Sequence, residues 1–137
     1  MERIITRPSQ KPRKRVRDPR LMARYHEIRA GLLCEWCNHI PGSELNHILH
    51  GSKKEDAYWN YQILCHWCHQ DPRIGFHGSE PLFTVADALR QKLREGFVLP
   101  REAYAYLEGV DTWPGVDPDP VAAEALAVRL ADVQRRR

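Results

Sequence analysis

The sequence contains no apolar run long enough to span a bilayer, and its basic opening, MERIITRPSQKPRKRVR, is not followed by an apolar segment. Neither a membrane helix nor a secretory signal is therefore expected, membrane is excluded as a partner, and the expected location is the cytoplasm. Cysteine is scarce, with four among 137 residues. They are Cys34, Cys37, Cys65 and Cys68, two CxxC pairs with no thiol left over. In a reducing compartment such pairs argue for a metal ion before a disulfide. No internal repeat is visible beyond these two knuckles. The length suits one compact domain with extensions and a modest core.

The net charge of +3 is unevenly spread. The first 29 residues hold ten Lys/Arg against three Asp/Glu, and the rest of the chain holds eleven against fifteen. A basic arm on a mildly acidic body suits a phosphate-rich partner. Arg13, Lys14, Arg15 and Arg17 are the arm's candidate nucleic-acid contacts; a solvated tail is the alternative.

Three segments follow from the pattern: a basic arm with a short helix (1–29), a metal-stapled core (30–80) and a helical extension (81–137). Residues 1–20, with Pro8, Pro12 and Pro19, should be extended or disordered when free. A helix from Arg20 towards Leu33 would align Leu21, Tyr25, Ile28 and Leu32, with Gly31 as its terminator. Short strands are expected at Ser43–Leu49 and Asn60–Leu64, with a polar loop between them and a helix starting at the second knuckle. Thr84 and Asp87 form a capping-box pattern before a helix closed by Gly96. Pro100 opens a helix to about Leu107, DTWPGVDPDP is a turn-rich linker, and VAAEALAVRLADVQ is a last amphipathic helix ending in three arginines.

A CxxC turn offers two thiolates to one side of a tetrahedral ion, and a second CxxC supplies the others. The 27 residues between Cys37 and Cys65 leave room for a hairpin. A redox dithiol is the competing explanation, but two matched pairs around a hairpin suit structural zinc better. Such a site is closed to substrate, so the ion would hold the fold and do no chemistry. Trp36 and Trp67, one inside each knuckle, are expected to pack over it, with base stacking as the alternative.

Between and after the knuckles the chain reads SELNHILHGSKKEDAYWNYQILCHWCHQ. His47-Ile48 on the first strand, Asn60 five residues before the second CxxC, and His69 directly after it resemble the HNH, or ββα-metal, nucleases. The resemblance covers roughly residues 34–77. It implies an α+β fold: a small zinc-stapled ββα-metal core of treble-clef-like form with flanking helices. It implies that His47 is a general base, since neutral imidazole can accept a proton near pH 7. It implies that His69 binds a catalytic divalent metal, Mg²⁺ or another ion, which would stabilise the phosphate and the departing 3′ oxygen. Asn60 would tie down the loop between the strands and so orient His47.

The chain departs from the family pattern at Asn46, where the family has Asp or His as a metal ligand. An amide oxygen can coordinate a hard ion but brings no charge. Glu44 shares its strand face and could approach, but glutamate at this place also occurs in active members of the resembled family, so it is not taken as the substitute ligand. His77 is a further candidate ligand. On a straight helix it would stand about 12 Å from His69, too far to share an ion, so only a bend would bring it back. Arg73 would then be free for a phosphate, and Lys53 and Lys54 are candidate backbone contacts.

The expected function is a metal-dependent endonuclease acting on DNA. The alternatives are a zinc-finger-like nucleic-acid-binding module without cutting activity, or a phage-type recombination or packaging nuclease acting on branched DNA. The C-terminal helix is expected either to mediate a homodimer or to complete the fold.

Overall fold

The computed structural model describes residues 13–107 and 112–137. The expectations for residues 1–12 of the arm and for the start of the linker at Asp111 lie outside these residues. Asp18 stands in extended backbone before the first helix, and its carboxylate accepts the Arg20 N–H (3.1 Å). Pro19 follows at a position where its missing N–H costs no hydrogen bond. Helix α1 spans Pro19–Arg29 and buries Tyr25 and Ile28. Gly31, the expected terminator, follows at φ +78° and turns the chain away; Leu32 is still buried just beyond the turn.

Residues 13–18 are fastened to the body rather than free. The Arg13 guanidinium is bonded to both oxygens of Glu55 and to Glu102. The Val16 carbonyl accepts the Asp56 N–H (2.9 Å), and the Asp18 N–H donates back to the Asp56 carboxylate (2.8 Å).

The sheet is a two-stranded antiparallel hairpin, β1 (Glu44–His47) and β2 (Tyr61–Leu64). Its register pairs Glu44 with Leu64, Leu45 with Ile63, Asn46 with Gln62, and His47 with Tyr61. β1 ends earlier than Leu49, and Asn60 supplies the reason. Its main-chain carbonyl takes the Ile48 N–H (2.9 Å), but its side chain takes both main-chain groups of Leu49 and closes the ladder.

Helix α2 (His66–Gln70) begins at Cys65 and is short. Pro72 disfavours helical backbone in the residue before it, and Asp71 accordingly turns to ψ 129°. Helix α3 (Val85–Glu95) carries the expected capping box, with Asp87 N–H to Thr84 Oγ1 (3.1 Å) and Thr84 N–H to Asp87 Oδ2 (2.9 Å). Gly96 closes it at φ +106°. Residues Arg101–Leu107 wind as a 3₁₀ helix rather than an α-helix. Over seven residues, packing decides the winding, and here Ala103 and Leu107 are buried against the α3 side.

Helix α4 (Pro120–Arg135) lies on α1 and on the turn Tyr58–Asn60. Tyr58 Oη donates to Glu124 (3.0 Å), and Arg135 donates to the Ile28 carbonyl at the end of α1 (2.7 Å). This is a small α+β fold, in which one core runs from Tyr25 through the hairpin and α3 to Ala131. No helix among the described residues is long and apolar enough to cross a membrane.

A buried ion pair locks the elements together. Glu35 lies inside the first knuckle at 6% exposure, and Lys92 on α3 at 1%. The Glu35 carboxylate accepts Lys92 Nζ (3.0 Å), Tyr25 Oη (2.7 Å) and the Ile63 N–H (2.7 Å). Burial pushes this carboxyl up, but the Lys92 and Arg29 charges and the hydrogen bonds outweigh it and hold it below the usual carboxylate range. A charge buried this deeply is costly once its partner is lost. Lys92→Ala should therefore cost about 3–5 kcal/mol in urea unfolding of the metal-loaded protein, whereas Glu35→Gln with Lys92→Met should recover most of that loss. A cost below about 1 kcal/mol for Lys92→Ala would show that Glu35 carries no buried charge.

Candidate metal centre and histidine cluster

The four sulfurs come from two turns flanking the hairpin. In the first, the Cys34 N–H donates to the Ile40 carbonyl (2.7 Å) and Asn38 takes φ +57°. In the second, Cys65 precedes α2 and Cys68 sits within it. All four Sγ atoms lie within 4.8 Å of one another, and the Cys37 and Cys65 sulfurs are 3.9 Å apart. A tetrahedral ion with metal–sulfur bonds of about 2.3 Å needs sulfurs about 3.8 Å apart. The cysteines are thus placed to bind a metal ion, in a geometry compatible with zinc.

The thiols of Cys37, Cys65 and Cys68 are shifted in different directions. Burial opposes ionisation at Cys37, but N–H groups of His39 and Ile40 and the neighbouring thiols outweigh this and bring its pKa to about 7. Burial and the charge of Cys34 push the Cys68 thiol far up, and burial also raises Cys65. Four thiolates together therefore require a cation among them. Trp36 stacks on Phe83 (4.2 Å between centroids), while Trp67 is 57% exposed and does not cover the cage as expected.

His47 is held by groups that spacing does not reveal. Its Nε2 lies 2.9 Å from Asp56 Oδ1, and its ring meets Tyr61 edge-on. Burial raises the Asp56 carboxyl, but donors from His47, Tyr61 and the Asp18 N–H outweigh it and keep it below its ordinary range. An ionised carboxylate only accepts, so the His47 proton resides on Nε2, and Nδ1 is left as the basic nitrogen. Nδ1 makes no hydrogen bond among the described residues. Asn60 is fully buried and grips the loop: its Oδ1 accepts the Leu49 N–H (2.7 Å), and its Nδ2 donates to the Leu49 (3.0 Å) and Glu55 (2.9 Å) carbonyls.

Asn46 is 1% exposed, and its Nδ2 donates to Gln62 Oε1 (3.0 Å). His69 instead meets Glu44, with Nδ1 at 2.8 Å from Oε1. Glu44 also receives His66 and Gln70. No ring contact or hydrogen bond joins His47 to His69 among the described residues. They sit among different partners, Asp56 and Tyr61 for His47, Glu44 and His77 for His69.

His77 does reach His69, because the chain folds back rather than continuing as a helix. Asp71 Oδ1 accepts the Arg73 and Ile74 N–H groups (both 2.9 Å). A Cβ at Gly75 would lie 2.6 Å from the Asp71 nitrogen, and one at Gly78 2.5 Å from the Arg73 carbonyl, so only glycine fits either position. The returning loop sets the His77 ring 5.3 Å from His69 and 5.1 Å from His50, centroid to centroid. Surrounding protein and the two neighbouring imidazoles lower the His77 pKa. His50 thus meets His77 through a contact that its place in the sequence does not reveal.

Of the candidate nucleic-acid contacts, Lys14, Arg15, Arg17 and Lys53 are exposed and Lys54 is half-buried. Arg73 meets Glu80 (3.1 Å) in an exposed pair of little strength. Arg13 is committed to Glu55 and Glu102. Asp56 and Lys92 carry no motif; each acquires its role only by contact across the fold.

Comparison of the chain with protein-family models, with curated proteins and with solved structures found no match in any of the three.

The sulfur cluster makes a direct prediction. The purified protein should carry one equivalent of metal, released when a mercurial titrates the four thiols. Cys68→Ser should lose it and melt lower by more than about 10 °C. Metal affinity should fall as pH drops, because protons compete for every thiolate. Four freely reactive thiols with no metal by elemental analysis would refute the assignment.

Proposed function

We propose that the protein is a metal-dependent endonuclease of the HNH kind that hydrolyses phosphodiester bonds in DNA, with His47 as general base and His69 as a ligand of the catalytic metal. The observation that carries this proposal is the setting of His47. A buried carboxylate holds one ring nitrogen and leaves the other bare, on a strand end fixed by Asn60. That is the arrangement a general base needs: a set tautomer, a set orientation and a free lone pair.

In the proposed reaction Nδ1 of His47 takes a proton from water as the water oxygen forms a bond to phosphorus. The bond from phosphorus to the 3′ oxygen breaks, and the electron pair departs with that oxygen. A divalent metal held by His69 would supply Lewis acidity to the phosphate and the leaving oxygen. Asn60 acts as a positioning residue through the Leu49 and Glu55 main chain. The four cysteines would hold a structural zinc, closed to substrate, that fixes both strands and α2. The exposed Lys14, Arg15 and Arg17, with Lys53 and Lys54 in the loop, would draw the DNA backbone by charge, an attraction that weakens with salt.

One observation favours a second function, a nucleic-acid-binding module that does not cut: the strand residue beside the base is an uncharged, buried asparagine tied to Gln62. Plasmid nicking separates the two. With Mn²⁺ or Mg²⁺ the native chain should nick supercoiled DNA, and His47→Ala should slow nicking about 10²–10⁴-fold with little change in a gel shift. Undiminished cutting by His47→Ala would remove His47 as the base, and binding without any cutting by the native chain would establish the second function.

A further inference from the structure

We infer that Arg13 is a positioning residue for His47: it straps the chain before α1 onto the loop at Glu55 and Asp56, and so steadies the carboxylate that sets the imidazole. The catalytic consequence rests on the proposed nuclease function; the strap itself rests on contacts alone.

The first observation is how Asp56 is gripped. Its Oδ1 accepts from His47 Nε2 (2.9 Å) and from Tyr61 Oη (3.0 Å), and its Oδ2 accepts from the Asp18 N–H (2.8 Å). Its own N–H donates to the Val16 carbonyl (2.9 Å). Val16 and Asp18 thus supply two of these four bonds through their main chain. A carboxylate met by donors on both oxygens is fixed in rotation as well as in place. The tautomer and orientation of the imidazole it holds follow from that.

The second observation is what keeps that main chain there. Lys14, Arg15, Val16 and Arg17 are all exposed, so apolar burial does little to hold the stretch down. Arg13 is the anchor. Its two terminal nitrogens meet the two oxygens of Glu55, and one of them reaches on to Glu102 (3.0 Å) in the segment Arg101–Leu107. The planar fork of a guanidinium suits this double bridge, whereas a lysine ammonium is a point charge that does not reproduce it.

The third is what losing the anchor would leave. The Glu55 side chain is 3% exposed, and Arg13 is the cation that meets it among the described residues. Without Arg13 a buried carboxylate stands unpaired, so the loop must open to water or take up a proton. Asp56 is the next residue. The peptide that joins the two is held by Asn60, which donates to the Glu55 carbonyl (2.9 Å), and by the strap, through the Asp56 N–H. Composition does not tell Arg13 from Lys14, Arg15 or Arg17. Contact does: Arg13 is turned into the protein, and the other three are left to face a phosphate backbone.

The test uses the full, metal-loaded chain and reads the His47 ring directly. Long-range proton–nitrogen NMR, at one pH above the imidazole range, should show His47 in its Nε2–H form, with the signals assigned by their loss in His47→Ala. Arg13→Ala should mix in the Nδ1–H form. It should also lower kcat for plasmid nicking about 10–100-fold, with KM and the salt dependence of DNA binding little changed. Arg13→Lys, which keeps the charge without the fork, should show the same mixing to a smaller degree, and it decides the matter if Arg13→Ala does not fold. Arg15→Ala should do the reverse: keep the Nε2–H form, weaken DNA binding and lower its salt slope by about one. Native His47 signals in the Arg13 variants, or a loss confined to KM and the salt slope, overturns the inference and makes Arg13 a phosphate contact; the nuclease stands if the native chain nicks. Mixing in the Arg13 variants of a chain that does not nick would keep the strap and remove the nuclease.

Discussion

The convergence of four thiols from two turns on either side of a hairpin is the constraint on which the remaining geometry hangs. A two-stranded sheet with four residues in each strand is marginal in water by itself. Here both of its ends are clipped, because β1 follows the first cysteine pair and β2 runs directly into the second. The buried Glu35 adds a second tie at the same place: from inside the first knuckle its carboxylate reaches β2, α1 and α3 through the Ile63 N–H, Tyr25 and Lys92. Burying that charge is tolerable only because every side of it is met by a donor. The helices are thereby oriented around the four sulfurs as well as around the apolar core.

The hairpin's alternation then separates the histidines. His47 pairs with Tyr61 and meets Asp56, whereas Glu44, three residues earlier, holds His69 on α2. Each imidazole is thus fixed by its own carboxylate, and the two carboxylates answer to different parts of the chain. Asp56 is also bonded to the main chain of Asp18 at the start of α1, and its own N–H is bonded to Val16. Part of the basic arm is therefore tied to the loop that carries Asp56, the partner of His47. Under the proposed function, docking of the arm on a phosphate backbone and the setting of the base would involve one set of contacts.

Much of the local structure was legible because it depends on neighbouring residues. The Thr84–Asp87 capping box, Gly96 and Gly31 as helix terminators, and the cysteine pairs all work through a few consecutive positions. The first strand proved shorter than its alternation suggested, because the Asn60 side chain competes for Leu49 from across the hairpin. Trp67 was expected in the interior from its place in a knuckle, yet the short α2 turns it outward to solvent. Within the stretch read as extended or disordered when free, Arg13 and Val16 are held by Glu55, Asp56 and Glu102.

What the sequence by itself determined is the chemistry available: four thiols in two CxxC pairs, histidines between and after those pairs, and a strongly basic start. Those properties belong to residue types and short intervals, so they survive without coordinates. Tertiary structure alone decided which groups meet: Asp56 with His47, Glu44 with His69, and His50 with His77. The physical reason is that an imidazole's tautomer, and hence which nitrogen presents its lone pair, is set by the acceptor on its other nitrogen. That acceptor arrives from a part of the chain whose distance is fixed only once the hairpin is clipped and the loop after Pro72 has turned back.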